Sequence, residues 1–347
     1  MLKVNLHKDI QIIYSGVINL SNLYIVDNRG KLSVDGGHFV ILSSDGTERK
    51  VSKNTVETIV IFGNVSVTTP AIKKCLELGI DVSFLSNQGK YFGKLRSTSH
   101  PNVFRLKKQV FLSMNEDFCL DFSKKIIQAK IINQRMILNR YDDKEKLEQL
   151  KLCSQKARES KNIKELMGHE GQAARIYFSM ITEFIKDDFK FKGRSRRPPK
   201  DPFNSLISLG YTMLINEITA MLEAKGLNPY IGYFHEDRER HATLASDLIE
   251  EWRPILVDSV AIGMIQREEL VIGDFWKDRD GGIFLTREAL KKYLYKYEEK
   301  LKKETKYGKD PDKKISYRRL IGKQIDSLKE AVDNVDTSKY RPIRIRG

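Results

Sequence analysis

Glu170, His235 and the acidic group Asp247, Glu250 and Glu251 are residues of this chain whose types could together hold a divalent cation. Glu170 stands in Gly168-His169-Glu170-Gly171-Gln172-Ala173-Ala174-Arg175, and His235 closes Asn228-Pro229-Tyr230-Ile231-Gly232-Tyr233-Phe234-His235. One imidazole with several carboxylates suits a hard or borderline ion such as Mg²⁺ or Mn²⁺, whereas a structural zinc site recruits thiolates. In a strongly cationic chain, such a site points toward phosphate chemistry.

Spacing places each group and leaves a plainer alternative beside it. On a helix expected from Asn162 to Ile185, positions 170, 173, 174, 177 and 181 share a face, so Glu170 points where burial is expected. A buried carboxylate is protonated, paired with a base or ligated to a metal, and an ion pair with a Lys or Arg is the plainer case. His235 ends an apolar stretch ahead of Glu236-Asp237-Arg238-Glu239-Arg240, where a structural histidine would serve as well. Asp247, Glu250 and Glu251 lie at i, i+3 and i+4, so their carboxylates can converge. An amphipathic helix burying Leu244, Leu248, Trp252, Ile255 and Ser259 would instead turn those acids outward. The chain has no Gly-x-x-x-x-Gly-Lys-Ser/Thr loop, His-Glu-x-x-His helix or Gly-x-Ser-x-Gly elbow, so nucleotide-driven, zinc-protease and serine-hydrolase chemistry lack their markers.

The elements that must position these groups fall into two runs. Up to about Leu95, short apolar clusters (Leu23–Val26, Phe39–Leu42, Thr58–Phe62, Ile80–Leu85) alternate with Asn28-Arg29-Gly30, Asp35-Gly36-Gly37, Asp45-Gly46 and Asn87-Gln88-Gly89, the composition of strands and tight turns. One helix interrupts them, with Thr69 as N-cap, Pro70 in its first turn and Gly79 as its stop. Helical periods follow over 118–141, 162–185, 205–224, 243–265, 287–302 and 316–333. The expected fold class is α+β: a β-sandwich-like domain over residues 1–96, then a larger all-α domain over 97–347.

With 347 residues, 40% of them hydrophobic, the chain can supply two cores. Its 61 Lys and Arg against 46 Asp and Glu give a net charge of +15, a field that attracts polyanions. Candidate phosphate contacts are Arg194, Arg196, Arg197 and Lys200 in the proline-bearing segment Gly193–Lys200, and Arg238 and Arg240 beside His235. Lys277, Arg279, Arg318-Arg319 and the tail 341–346 are further basic sites, and 303–314 reads as a charged linker. The three cysteines form no Cys-x-x-Cys pair, which fits a reducing cytoplasm, and neither a signal-peptide core nor an uninterrupted membrane-length apolar run is present.

Taken in order, Gly168–Phe178, Phe191–Arg194, Arg197–Tyr211, Gly226–His235, Leu244–Glu250, Arg253-Pro254 and Asp258 closely resemble the CRISPR-associated spacer-acquisition integrases, the first-numbered family of Cas proteins. The resemblance runs over most of the chain. It implies a β-domain used for homodimerisation and a helical catalytic domain. It also implies Glu170, His235 and Glu250 as catalytic metal ligands for Mg²⁺ or Mn²⁺, with Asp247 near or among them. The partners it implies are double-stranded DNA fragments, CRISPR repeat DNA and a small companion adaptation protein of the second-numbered Cas family. The activity expected is metal-dependent joining of 3′-hydroxyl DNA ends to the repeat. A structure-selective nuclease and a non-catalytic DNA-binding scaffold are the alternatives. At Glu239, Arg240 and Ala242 the chain departs from the proline and glycine frequent in that loop of the family.

Charge alone generates one test. If six or more phosphates are neutralised, DNA affinity falls about a thousandfold or more between 50 and 200 mM salt, readable by fluorescence anisotropy, and a flat response contradicts the assignment.

Overall fold

A computed structural model describes residues 22–97, 102–141, 143–195, 197–306 and 314–345. Arg196, Arg346 and positions 307–313 of the charged linker lie outside the described residues.

The first run forms β1 (Asn22–Val26), β2 (Lys31–Asp35), β3 (His38–Leu42), β4 (Glu48–Ser52), β5 (Thr58–Phe62), β6 (Ser66–Val67), α1 (Thr69–Leu78), β7 (Asp81–Leu85) and β8 (Tyr91–Leu95). Among the described residues these strands make two four-stranded sheets, ordered β1-β5-β7-β8 and β4-β3-β2-β6. In the first, β1, β5 and β7 are parallel and β8 runs antiparallel to β7. In the second, β2, β3 and β4 are consecutive antiparallel strands, linked at turns where Gly36 (φ 52°) and Gly46 (φ 85°) take the left-handed conformation. Period-two alternation sends Ile25, Ile59, Ile61 and Val82 of one sheet and Leu32, Phe39, Ile41 and Val51 of the other into one core, with Ala71 and Cys75 of α1. This is the sandwich expected from the sequence. The α1 cap falls one residue earlier than expected: the Thr68 hydroxyl accepts from the Ala71 amide at 3.4 Å, and Gly79 ends the helix at φ 69°.

The second run comprises α2 (Val103–Ser113), α3 (Glu116–Leu138), α4 (Lys144–Glu159), α5 (Ile163–Phe184), α6 (Pro202–Ala224), α7 (Thr243–Ile249), α8 (Ser259–Gln266), the hairpin β9 (Phe275–Lys277) and β10 (Ile283–Leu285), α9 (Arg287–Lys302), the hairpin β11 (Glu304–Lys306) and β12 (Lys314–Ser316), and α10 (Tyr317–Asn334). The expected helix over 243–265 is broken by a π-helical turn at Arg253–Asp258. Pro254 supplies no amide for the ladder, so the chain widens there before α8 resumes. Helix α4, rich in Lys and Glu, escaped the apolar-period reading, yet it buries Leu147, Leu150, Cys153 and Ala157 on one stripe. Helix α6 has the length and apolarity of a membrane span, but 61% of that window is buried inside the protein. Its hydrophobicity serves the core.

The chain separates into two compact units, one running to His100 and taking in Thr286–Glu298, the other made of Pro101–Leu285 and Glu299–Gly347. Within the first, α9 is tied to β1 and the residue after it at two points along its length: Tyr24 donates its hydroxyl to Glu298 Oε1 at 2.6 Å, and Arg287 donates to Val26 O at 2.8 Å and Asp27 Oδ2 at 3.0 Å. Cys75, Cys119 and Cys153 are buried free thiols, and burial pushes Cys75 and Cys119 up to about 11, which removes them from thiolate chemistry.

Phe39 is wholly enclosed between the sheets. Phe39→Ala should cost about 3–5 kcal/mol of stability in the β unit, measured by urea denaturation.

Candidate active site

Helix α5 begins where the Asn162 side chain accepts the Glu165 amide at 2.8 Å. Ala173, Tyr177, Met180 and Ile181 fall on its buried face. Glu170 shares that face at its margin, and its side chain keeps 24% exposure because it borders a cavity. The acids on and after α7 are enclosed instead: Asp247 is 0%, Glu250 2% and Glu251 0% exposed. The outward-facing amphipathic reading is therefore incorrect, since every residue of α7 is buried.

Each enclosed acid has its own means of compensation. Glu250 lies between two cations, with Arg253 Nη1 at 2.5 Å from Oε1 and Lys130 Nζ at 2.6 Å from Oε2. The same Lys130 ammonium, 5% exposed on α3, pairs with Glu170 Oε1. Burial pushes Glu250 up, but Arg253, Lys130 and the more distant His235 outweigh it and hold the carboxyl at about 2. Burial likewise opposes the Lys130 charge, and Glu170 and Glu250 more than offset it. The ion pair considered for Glu170 thus exists, and the base is Lys130.

Asp247 holds the loop that carries His235. Its Oδ2 accepts the Tyr233 amide at 2.8 Å and the Phe234 amide at 3.1 Å, while Oδ1 accepts the His235 amide at 3.2 Å and lies 2.8 Å from His235 Nδ1. This close wrap needs Gly232: a Cβ there would lie 2.4 Å from Thr243 Cγ2 and 3.0 Å from Asp247 Oδ2. With Nδ1 taken, Nε2 is the nitrogen left for a ligand, and the imidazole is 37% exposed.

Glu251 faces away from this cluster toward the C-terminal segment. It accepts from the Tyr340 hydroxyl and the Ile343 amide, both at 2.6 Å, and burial pushes its pKa to about 8. Asn133 of α3 secures the same segment, donating to Ile343 O at 2.9 Å and accepting from the Ile345 amide at 3.0 Å. Asp258, raised by burial to about 6, accepts from Tyr211 at 2.6 Å and Tyr177 at 2.9 Å.

Among the described residues, no three His, Cys, Asp or Glu side chains are gathered as a ready metal cage. Lys130 stands between Glu170 and Glu250 instead. A cavity of about 430 Å³ opens beside them, lined in part by Arg175, Lys192, Arg194, Arg253, Phe178 and Tyr211. Arg194 is held in place, donating to Asn204 Oδ1 at 2.5 Å and lying 5.3 Å from the centroid of the Tyr211 ring. Arg197, Lys200, Arg238 and Arg240 are surface residues, and Arg240 takes the left-handed φ of 58°. Lys130 and the Tyr177–Asp258–Tyr211 hydrogen bonds were not singled out from the sequence. For Lys130 a signal existed: it continues the four-residue stripe Phe122, Ile126 and then Gln134 and Leu138, on which all the others are buried.

The sequence profile of the family described as CRISPR associated protein Cas1 matches residues 23–299. A Mycobacterium tuberculosis H37Rv protein named CRISPR-associated endonuclease Cas1 is 32% identical over 328 residues, covering 93% of this chain and 97% of that one. Among solved structures, a chain of a Cas6-RT-Cas1–Cas2 complex is similar at TM-score 0.83 and 27% identity, covering 96% of this chain. The match spans 37% of that longer chain. A Cas1 protein from Thermotoga maritima shares the fold at TM-score 0.80 and 24% identity, covering 94% of this chain and all of its own. The chain belongs to the Cas1 family of CRISPR-associated proteins.

Glu251 sets a pH dependence. The folded protein keeps its proton up to about pH 8, whereas an unperturbed glutamate releases it near 4.5, so stability falls as pH rises through that window. Glu251→Gln mimics the protonated form, and the difference in Tm between wild type and variant should move against wild type from pH 5 to pH 8.

Proposed function

We propose that this chain is a metal-dependent DNA integrase and endonuclease of CRISPR adaptation, joining 3′-hydroxyl ends of short double-stranded fragments to a CRISPR repeat by transesterification. The observation that carries the reading is the convergence of Glu170 from α5 and Glu250 from the end of α7 on one enclosed cation beside an arginine-lined cavity. The donor set fits Mg²⁺ or Mn²⁺. Glu170 Oε1 and Glu250 Oε2 both meet the Lys130 ammonium, so two carboxylate oxygens already converge on one positive charge, and His235 is oriented through Nδ1 by a carboxylate in the manner common to metal-binding histidines.

Glu170, Glu250 and His235 Nε2 would hold the ion, and Asp247 acts through His235 by fixing its ring and backbone. Bound there, a divalent ion supplies Lewis-acid stabilisation of charge on phosphoryl oxygens. Arg175, Lys192 and Arg194 bind the backbone phosphates of the incoming strand in the cavity. Arg197, Lys200, Arg238 and Arg240 are exposed cations that would take further backbone phosphates. In the reaction the fragment's 3′-oxygen bonds to phosphorus, the scissile P–O bond breaks, and the proton passes from the attacking to the leaving oxygen through solvent. The count of phosphodiesters is unchanged, so no nucleotide triphosphate is required.

Two attacks on opposite strands need two copies of this site. The homodimer is assigned to the β unit, where Phe92 on β8 is 66% exposed and Leu78 47% exposed. A small companion of the second-numbered Cas family is the expected partner, in keeping with the Cas6-RT-Cas1–Cas2 complex to which the chain is similar. Hydrolysis without joining is the second reading, favoured by the endonuclease name of the Mycobacterium tuberculosis relative.

The test uses a labelled 3′-hydroxyl duplex, a supercoiled repeat plasmid, the companion protein and Mn²⁺. Wild type should transfer label to the plasmid. Glu170→Ala should reduce transfer at least a hundredfold, the upper end of what a lost outer-sphere partner alone costs, while DNA affinity stays within about twofold. Shortened fragments with no transfer would instead establish the nuclease.

A further inference from the structure

Lys130 occupies the point on which the two glutamates converge. Its ammonium touches Glu170 Oε1 and lies 2.6 Å from Glu250 Oε2, at 5% residue exposure. An ammonium nitrogen and a divalent ion bound to the same two carboxylate oxygens would require nearly the same position, since oxygen ligands stand about 2.1 Å from Mg²⁺. Both cannot be there. Lys130 is also a wall residue of the cavity, with Gln134 of its own helix, so open space adjoins the carboxylate pair on the side of α3. The flexible four-carbon stem of lysine allows a swing into that space, which the planar, bidentate fork of an arginine would resist.

Arg253 does not share this position. It takes the other oxygen of Glu250 and lies 4.8 Å from the Tyr211 ring centroid, a second anchor that fixes its guanidinium outside the gap between the acids. Glu250 therefore keeps one permanent cation and one exchangeable one.

We propose that Lys130 is a tethered stand-in cation: it holds Glu170 and Glu250 together in the metal-free protein and must swing into the adjoining cavity before a divalent ion can bind. The inference rests on the metal reading given above and adds that the protein competes with its own metal. Two effects follow. The metal-free fold avoids the repulsion between the buried Glu250 carboxylate and the partly exposed Glu170 carboxylate beside it. Metal affinity is reduced by the fraction of molecules in which the lysine has left its seat.

The experiment measures binding rather than turnover, using MnCl₂ as the probe. Free Mn²⁺ is titrated by electron paramagnetic resonance against wild type, Lys130→Met and Glu170→Ala. Lys130→Met should bind Mn²⁺ about tenfold more tightly than wild type, as expected where the binding-competent state is about a tenth populated. It should also melt lower without metal and gain more in Tm when Mn²⁺ is added. Equal or weaker Mn²⁺ binding by the variant overturns the proposal, with the metal reading intact as long as wild type binds and Glu170→Ala does not. Binding by neither wild type nor Lys130→Met removes the metal reading itself. Should the variant not fold, wild type alone decides: reductive methylation followed by mass spectrometry should modify Lys130 several-fold faster with Mn²⁺ than without, while exposed Lys192 stays constant. An unchanged Lys130 rate in metal-bound protein overturns the proposal.

Discussion

Enclosing negative charge is the constraint around which the helical unit is organised. Asp247, Glu250, Glu251 and Asp258 fall within one short stretch of chain and are all buried, and no two are compensated in the same way. Backbone amides and an imidazole serve Asp247, two cations serve Glu250, retention of a proton serves Glu251, and two tyrosine hydroxyls serve Asp258. An isolated buried carboxylate is expensive, so each partner is held as firmly as the acid it serves. This is why residues far apart in sequence, from Lys130 to Ile343, are drawn to one region.

That constraint also separates acids that look equivalent on paper. Glu250 and Glu251 are neighbours, but one remains ionised between Lys130 and Arg253 while the other is raised by burial to about 8 and holds the C-terminal segment. An ionised carboxylate can serve a cation, and one that keeps its proton near neutral pH cannot readily do so. The adjacent pair thus divides into an ionised group held between two cations and a group that keeps its proton and ties down the C-terminal segment. Asp247 makes a similar division, because the amides of residues 233–235 and the His235 ring draw its oxygens inward.

The Cas1 family assignment and the arrangement of charge support each other without being the same argument. Family membership rests on a profile over residues 23–299 and on relatives matched along most of their length. The proposed joining chemistry rests on Glu170 and Glu250 sharing a cation beside a cavity walled by Arg175, Lys192 and Arg194. The +15 charge of the chain explains attraction to a polyanion, but only a fixed geometry can select where on that polyanion a bond is exchanged.

By itself the sequence determined the α+β class, the strand clusters that share the sandwich core, the limits of α5 to within a residue or two and the family. These are local or near-local properties: period-two alternation, glycine turns, an Asn162 cap and motifs in order along the chain. The break of 243–265 at Pro254 was legible in principle from a proline without an amide, and α4 from its thin apolar stripe among charges. Which acids face solvent, which base answers Glu170, and the return of Thr286–Glu298 to the β unit were decided only by tertiary structure. Helical spacing says which side chains share a face, but whether that face meets water, a lysine from another helix or a distant segment depends on packing between elements far apart in the chain.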